Sequence, residues 1–187
     1  MPVPAFAAAP SILARTTLVL GGARSGKSEH ALRLAEASEL QPVYLATATA
    51  GDAEMAERIR RHRARRGEDW LTIEEPLALV EAMNGAVDAG RVVVVDCLTL
   101  WLANVMAAGR NAEAEGDRLA QALAWLAGPL VLVSNEVGLG IVPDNAQARA
   151  FLDAAGRLNQ KVTRTAASVD FVAAGLPITL KDGATMP

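Results

Sequence analysis

Eight consecutive residues, Gly21-Gly22-Ala23-Arg24-Ser25-Gly26-Lys27-Ser28, fit the pattern G-x-x-x-x-G-K-[ST] without a gap. Glycines let the backbone curl so that successive N–H groups point at phosphate oxygens, and a helix starting there adds the positive end of its dipole. In such a loop Lys27 reaches the β- and γ-phosphates of a nucleoside triphosphate, and the Ser28 hydroxyl sits on Mg²⁺. The competing reading is a chance glycine-rich turn. It is disfavoured by the apolar run Thr17–Leu20 before the loop and by Ala31, Leu32, Leu34 and Ala35, which recur at helical spacing after it.

Asp96 follows four valines, where a second carboxylate supports Mg²⁺ through water; a helix-capping role for it is compatible with this. Asn135-Glu136 also ends an apolar run, at the strand edge where open α/β sheets bind ligands, although a plain turn accounts for it equally. The segment 52–66 is arginine-rich: Arg58, Arg60, Arg61, Arg63, Arg65 and Arg66 put six arginines in nine residues around His62. At helical spacing Met55, Ile59, His62 and Arg66 share a stripe. His62 by itself reads as a core or edge histidine; the sharper reading is a neutral, nucleophilic imidazole, because surrounding arginine charge disfavours its protonation. The arginines could meet a triphosphate. His30 reads as structural, Trp70, Trp101 and Trp125 as core or interface anchors, and Cys97 as an inert thiol beside a buried strand.

These residues need strands that end at a common edge. Strands are predicted at Thr17–Leu20, Val43–Ala46, Arg91–Val95, Pro129–Val133, Val169–Ala173 and Pro177–Leu180. Helices are predicted at Lys27–Glu39, Asp52–Arg66, Pro76–Ala89, Leu98–Ala107, Asp117–Ala127 and Ala146–Ala167, with a polar loop around Gly109–Gly116. Alternation of the two types gives an α/β fold with a mostly parallel sheet and helices on both faces. With the phosphate-binding loop, the expected class is a RecA-like P-loop NTPase.

The 187 residues suit one domain, read as 17–187 with a loose extension at 1–16. Net charge is −3, with 51% hydrophobic, 21% charged and 4% aromatic residues, so the chain reads as globular and as no coat for nucleic acid. The single cysteine excludes an internal disulfide framework and points to a reducing, cytoplasmic setting. The most apolar stretch, 91–106, is broken by Asp96 and Asn104 and is too short for a membrane span. The small apolar N-terminus lacks the positive start of a signal peptide.

Five segments in this order, Leu18–Ala31 (LVLGGARSGKSEHA), Tyr44–Ala48 (YLATA), Glu54–His62 (EMAERIRRH), Ser134–Asn145 (SNEVGLGIVPDN) and Gly156–Gln160 (GRLNQ), carry a family resemblance. The chain resembles the bifunctional adenosylcobinamide kinase / adenosylcobinamide-phosphate guanylyltransferases of cobalamin biosynthesis, from about Thr17 to about Lys181. The resemblance implies phosphorylation of the aminopropanol hydroxyl of adenosylcobinamide by ATP or GTP. Guanylyl transfer from GTP then follows, through a covalent GMP–histidine that falls on His62. It further implies nucleotide contacts from Gly21–Ser28, from Ala46, Thr47 and Ala48, from Arg63, Ala64, Arg65 and Arg66, and from Glu74 and Asp96, in a homotrimer.

Two positions depart from the pattern. Arg61 stands where some relatives have a second histidine, and Asp96 where relatives carry Glu. Three other classes compete for these residues: a P-loop kinase for another small alcohol, a GTP-binding switch and a nucleic-acid-binding ATPase. The first has no need of His62, the second lacks an N-K-x-D stretch, and the third rests on the arginine run alone.

Overall fold

The computed structural model describes residues 15–49, 57, 60, 63, 66–67, 69–126 and 128–183. Seven strands form one sheet: β1 (Thr16–Gly21), β2 (Gln41–Ala46), β3 (Leu71–Glu74), β4 (Arg91–Asp96), β5 (Leu130–Asn135), β6 (Ser168–Ala173) and β7 (Leu176–Lys181). The helices among the described residues are α1 (Lys27–Glu36), α2 (Leu79–Ala86), α3 (Leu98–Ala107), α4 (Ala112–Trp125) and α5 (Ala146–Thr165). Spatial order is β3-β2-β4-β5-β1-β6-β7. All neighbours run parallel except β7, which returns antiparallel to β6.

The central strands are apolar throughout because both faces are covered. Leu18, Leu20, Val93, Val95, Leu130 and Leu132 pack under α2, α3, α4 and α5. The alternating residues Val19, Val92, Val94, Val131 and Val133 face Ala31 and Ala35 of α1. Helices therefore lie on both faces, as expected. Trp101 is fully buried, and its indole N–H donates to Leu77 O at 3.0 Å. Trp125, by contrast, is 85% exposed and anchors no core within this chain.

Several boundaries differ from the sequence reading, each for a local reason. Helix α1 stops at Glu36 rather than Glu39, because Glu39 takes a left-handed φ of 58° and the Ser38 hydroxyl donates to Ala35 O. Helix α2 starts at Leu79 rather than Pro76; the Glu75 carboxylate accepts from the N–H groups of Leu77 and Ala78. The largest difference is α4, which begins at Ala112, inside the stretch read as a polar loop. Asn111 Oδ1 accepts from Glu113 and Ala114 N–H and caps the helix. Gly116, read as the end of that loop, is a buried position on α4, facing Leu158 of α5. Strand β3 is absent from the sequence reading, and β1 begins at Thr16, one residue inside the segment read as an extension. Most of the helix expected over Asp52–Arg66 lies outside the described residues.

Candidate active site

The phosphate-binding loop joins β1 to α1, and its shape is enforced from behind by the β6–β7 hairpin. A Cβ on Gly21 would stand 2.5 Å from Val172 O, so no side chain fits between β1 and β6 there. Gly26 caps α1 with φ at 96°, and a Cβ on it would meet Gly175 Cα at 3.1 Å. The hairpin turn closes this contact: Gly175 N–H donates to Ser25 O at 2.8 Å. Gly22 has open space around it. Ala23 and Arg24 are exposed, whereas Ser25 is buried behind the loop. Lys27 is buried, and its ammonium donates to Gly22 O at 3.0 Å, across the loop from its own helix start.

His30, one turn along α1, is buried with Nε2 2.8 Å from Asp170 Oδ2 on β6. Thr179 on β7 donates to the other carboxylate oxygen at 2.9 Å. The hydrogen bond from His30 holds the Asp170 carboxyl below its usual range, with further help from Thr179. The structural reading of His30 holds, and its role is to bolt the loop's helix to the hairpin.

Strand register lines up the rest of the site. Ala46 pairs with Glu74 on one side and with Asp96 on the other, so the ends of β3, β2 and β4 form one row. Gly21 and Asn135 end the neighbouring pair, β1 and β5. A cleft runs along this edge, lined by Lys27, Ser28, Ala46, Ala48, Arg63, Arg66, Glu74 and Asp96 among the residues expected from sequence. Tyr44, Thr72, Cys97, Leu100 and Asn135 complete the lining. Thr47 points elsewhere. It is fully buried, its hydroxyl accepts from Cys97 N–H and donates to Cys97 O, each at 2.8 Å, and so ties β2 to β4. His62, Ala64 and Arg65 lie outside the described residues.

Behind Asn135 sits a buried polar network that explains the GRLNQ segment. Ser134 Oγ donates to Asn159 Oδ1 at 2.7 Å, Asn159 Nδ2 donates to Asn135 O, and Thr99 Oγ1 accepts from Asn135 N–H. These bonds fix the end of β5 between the loop strand and the Asp96 strand. Cys97 caps α3 and is inert by environment, its thiol pushed up to about 11, chiefly by burial.

On the far wall, Tyr44 and Arg66 meet. The Arg66 guanidinium carbon lies 3.5 Å from the Tyr44 ring centroid, and Tyr44 OH donates to Asp96 Oδ2 at 3.1 Å. Burial, reinforced by the Asp96 charge, raises the phenol well above its ordinary value, so it stays protonated. Burial also lowers the Arg66 pKa. Sequence reasoning found Tyr44 only as part of a matching segment; no local signal gave it a contact with the Asp96 carboxylate, which is 52 residues away.

A phosphate-binding loop at the end of β1, and a carboxylate ending β4 with β5 between the two strands, define a P-loop nucleotide-binding protein. Solved structures agree on that fold. The chain is similar to the flagellar accessory protein FlaH from Methanocaldococcus jannaschii (TM-score 0.56, 14% identity, 92% of this chain and 81% of that one). It is also similar to the RadB recombinase (TM-score 0.52, 19% identity, 85% and 75%). At such identities the likeness extends to fold alone.

The particular family follows from sequence: the family model of cobinamide kinase / cobinamide phosphate guanyltransferase matches residues 17–180, and the chain belongs to that family. The bifunctional adenosylcobalamin biosynthesis protein CobP of Pseudomonas aeruginosa is 49% identical over 166 residues, covering 88% of this chain and 96% of the relative. The corresponding Escherichia coli protein, CobU, is 38% identical over 179 residues, covering 88% and 98%. No helix among the described residues is long and apolar enough to cross a membrane.

Proposed function

We propose that the chain phosphorylates the aminopropanol hydroxyl of adenosylcobinamide with ATP or GTP and then guanylylates the product to adenosyl-GDP-cobinamide, working as a cytoplasmic homotrimer. The observation that supports this best is the convergence, in one cleft, of Lys27 and Ser28 from the loop with Asp96, Glu74, Arg63 and Arg66 from the other strands and their connections. In phosphoryl transfer the loop N–H groups of residues 21–28 and the Lys27 ammonium would neutralise charge building on the phosphate oxygens. The backbone of Ala46–Ala48 and the side chains of Glu74, Arg63 and Arg66 would hold the rest of the nucleotide; Ala64 and Arg65 are assigned nucleotide contacts by the family resemblance alone.

The donor set suits Mg²⁺. Ser28 and Asp96 line the same cleft and offer a hydroxyl and a carboxylate, the hard oxygen donors that Mg²⁺ takes. When bound, Mg²⁺ would neutralise charge on the triphosphate.

The second reaction is assigned to His62. Its neutral imidazole attacks the α-phosphorus of GTP, a P–N bond forms, the bond to the bridging oxygen breaks, and pyrophosphate leaves. A phosphate oxygen of adenosylcobinamide phosphate then displaces the imidazole and takes the GMP. Incubation with α-labelled GTP tests this: wild type should retain acid-labile label, and His62→Ala should lose it while keeping much of the kinase rate. Wild-type labelling in that variant would place the nucleophile elsewhere.

A further inference from the structure

Arg66 is held in an unusual way. Its Nε and Nη1 are buried and find no hydrogen-bond partner among the described residues. The Asp96 carboxylate nearby accepts instead from Tyr44. A buried guanidinium is costly unless its donors are satisfied. What supports this one is the Tyr44 face at 3.5 Å, a cation–π contact beside which Nε and Nη1 stay without a partner among the described residues. Tyr44 is itself rigid. It is 6% exposed, paired on both sides in the sheet, and braced by Trp70, whose ring meets it edge-on at 6.4 Å and 75°.

We propose that Tyr44 is a positioning residue of the nucleotide site: its ring face holds Arg66 with donors uncommitted until phosphate or ribose oxygens arrive, and its hydroxyl fixes the orientation of Asp96. One side chain thereby ties the anion-binding arginine to the carboxylate assigned to the metal. The inference rests on the nucleotide-binding reading above. It separates two parts of Tyr44 that a packing role would not separate, the ring and the hydroxyl.

The test is equilibrium binding of Mg²⁺·GDP to the full chain by calorimetry, with circular dichroism confirming each fold. Tyr44→Leu and Arg66→Gln should each weaken GDP binding by about tenfold, and the double variant should be no more than about twofold weaker than the worse single one. Tyr44→Phe keeps the ring, so GDP affinity at saturating Mg²⁺ should stay within about twofold of wild type, while the Mg²⁺ needed for half-maximal binding rises several-fold. If Tyr44→Leu costs the same factor with and without Arg66, or if Tyr44→Phe leaves the Mg²⁺ dependence unchanged, the positioning role is overturned. The Tyr44→Phe arm stands even if the leucine variant fails to fold. Failure of the wild-type chain to bind Mg²⁺·GDP would instead overturn the nucleotide reading itself.

Discussion

Gly21→Ala and Gly22→Ala look equivalent on paper, one methyl group on each of two adjacent glycines, yet the structure separates them. At Gly21 the new Cβ would lie 2.5 Å from Val172 O and 2.6 Å from Ser25 Oγ. The serine hydroxyl can swing aside. The Val172 carbonyl cannot, because Val172 is paired with Gly21 in the β1–β6 ladder. Strand separation or a shifted loop must absorb an overlap approaching 1 Å, an overpacking penalty of about 1–3 kcal/mol. At Gly22 the methyl group meets nothing within 4 Å. There the main effect is reduced freedom of the unfolded chain, a gain of about 0.4–1 kcal/mol. For a chain of this length about 1 kcal/mol moves the melting temperature by ~2–4 °C. Gly21→Ala should therefore melt several degrees below wild type and Gly22→Ala at or slightly above it, a gap of roughly 3–16 °C in scanning calorimetry without nucleotide. Equal melting temperatures for the two variants would refute the close approach of β6 to the loop.

Two further outcomes are expected. Lys27→Ala should lower the kinase rate by on the order of 10²-fold or more in a coupled nucleotide assay, because a preorganised charge contact to the transferring phosphoryl group is lost. Asp170→Asn should cost stability at neutral pH in urea unfolding. The folded carboxyl lies below its unfolded value, so its contribution is fully present above the unfolded pKa of about 4 and fades as pH falls through the folded one; the gap between wild type and variant should narrow below about pH 4. A gap that is unchanged at pH 3 would show that His30 and Thr179 do not hold Asp170 as a carboxylate.

The loop Gly21–Ser28, the valine run before Asp96 and the start of α5 at Ala146 were legible in the sequence because each is set by residues adjacent along the chain: a turn, a buried strand, a helix start after a turn-rich stretch. Local signals failed where a distant partner reversed their meaning. Gly116 reads as the end of a polar loop, but it lies buried on α4 against Leu158. Trp125, read as a core or interface anchor, is 85% exposed and is no core residue among the described ones. The Thr47 hydroxyl is committed to the Cys97 backbone, 50 residues on, a tie that no local signal announced. The site itself was legible as a set of residue types and not as a shape. Strand order and register decided the row Glu74–Ala46–Asp96, the hairpin behind Gly21 and Gly26, and the stacking of Arg66 on Tyr44. Those depend on which strands pair, and pairing is fixed by the burial of both sheet faces together, a balance that no single segment carries in its own residues.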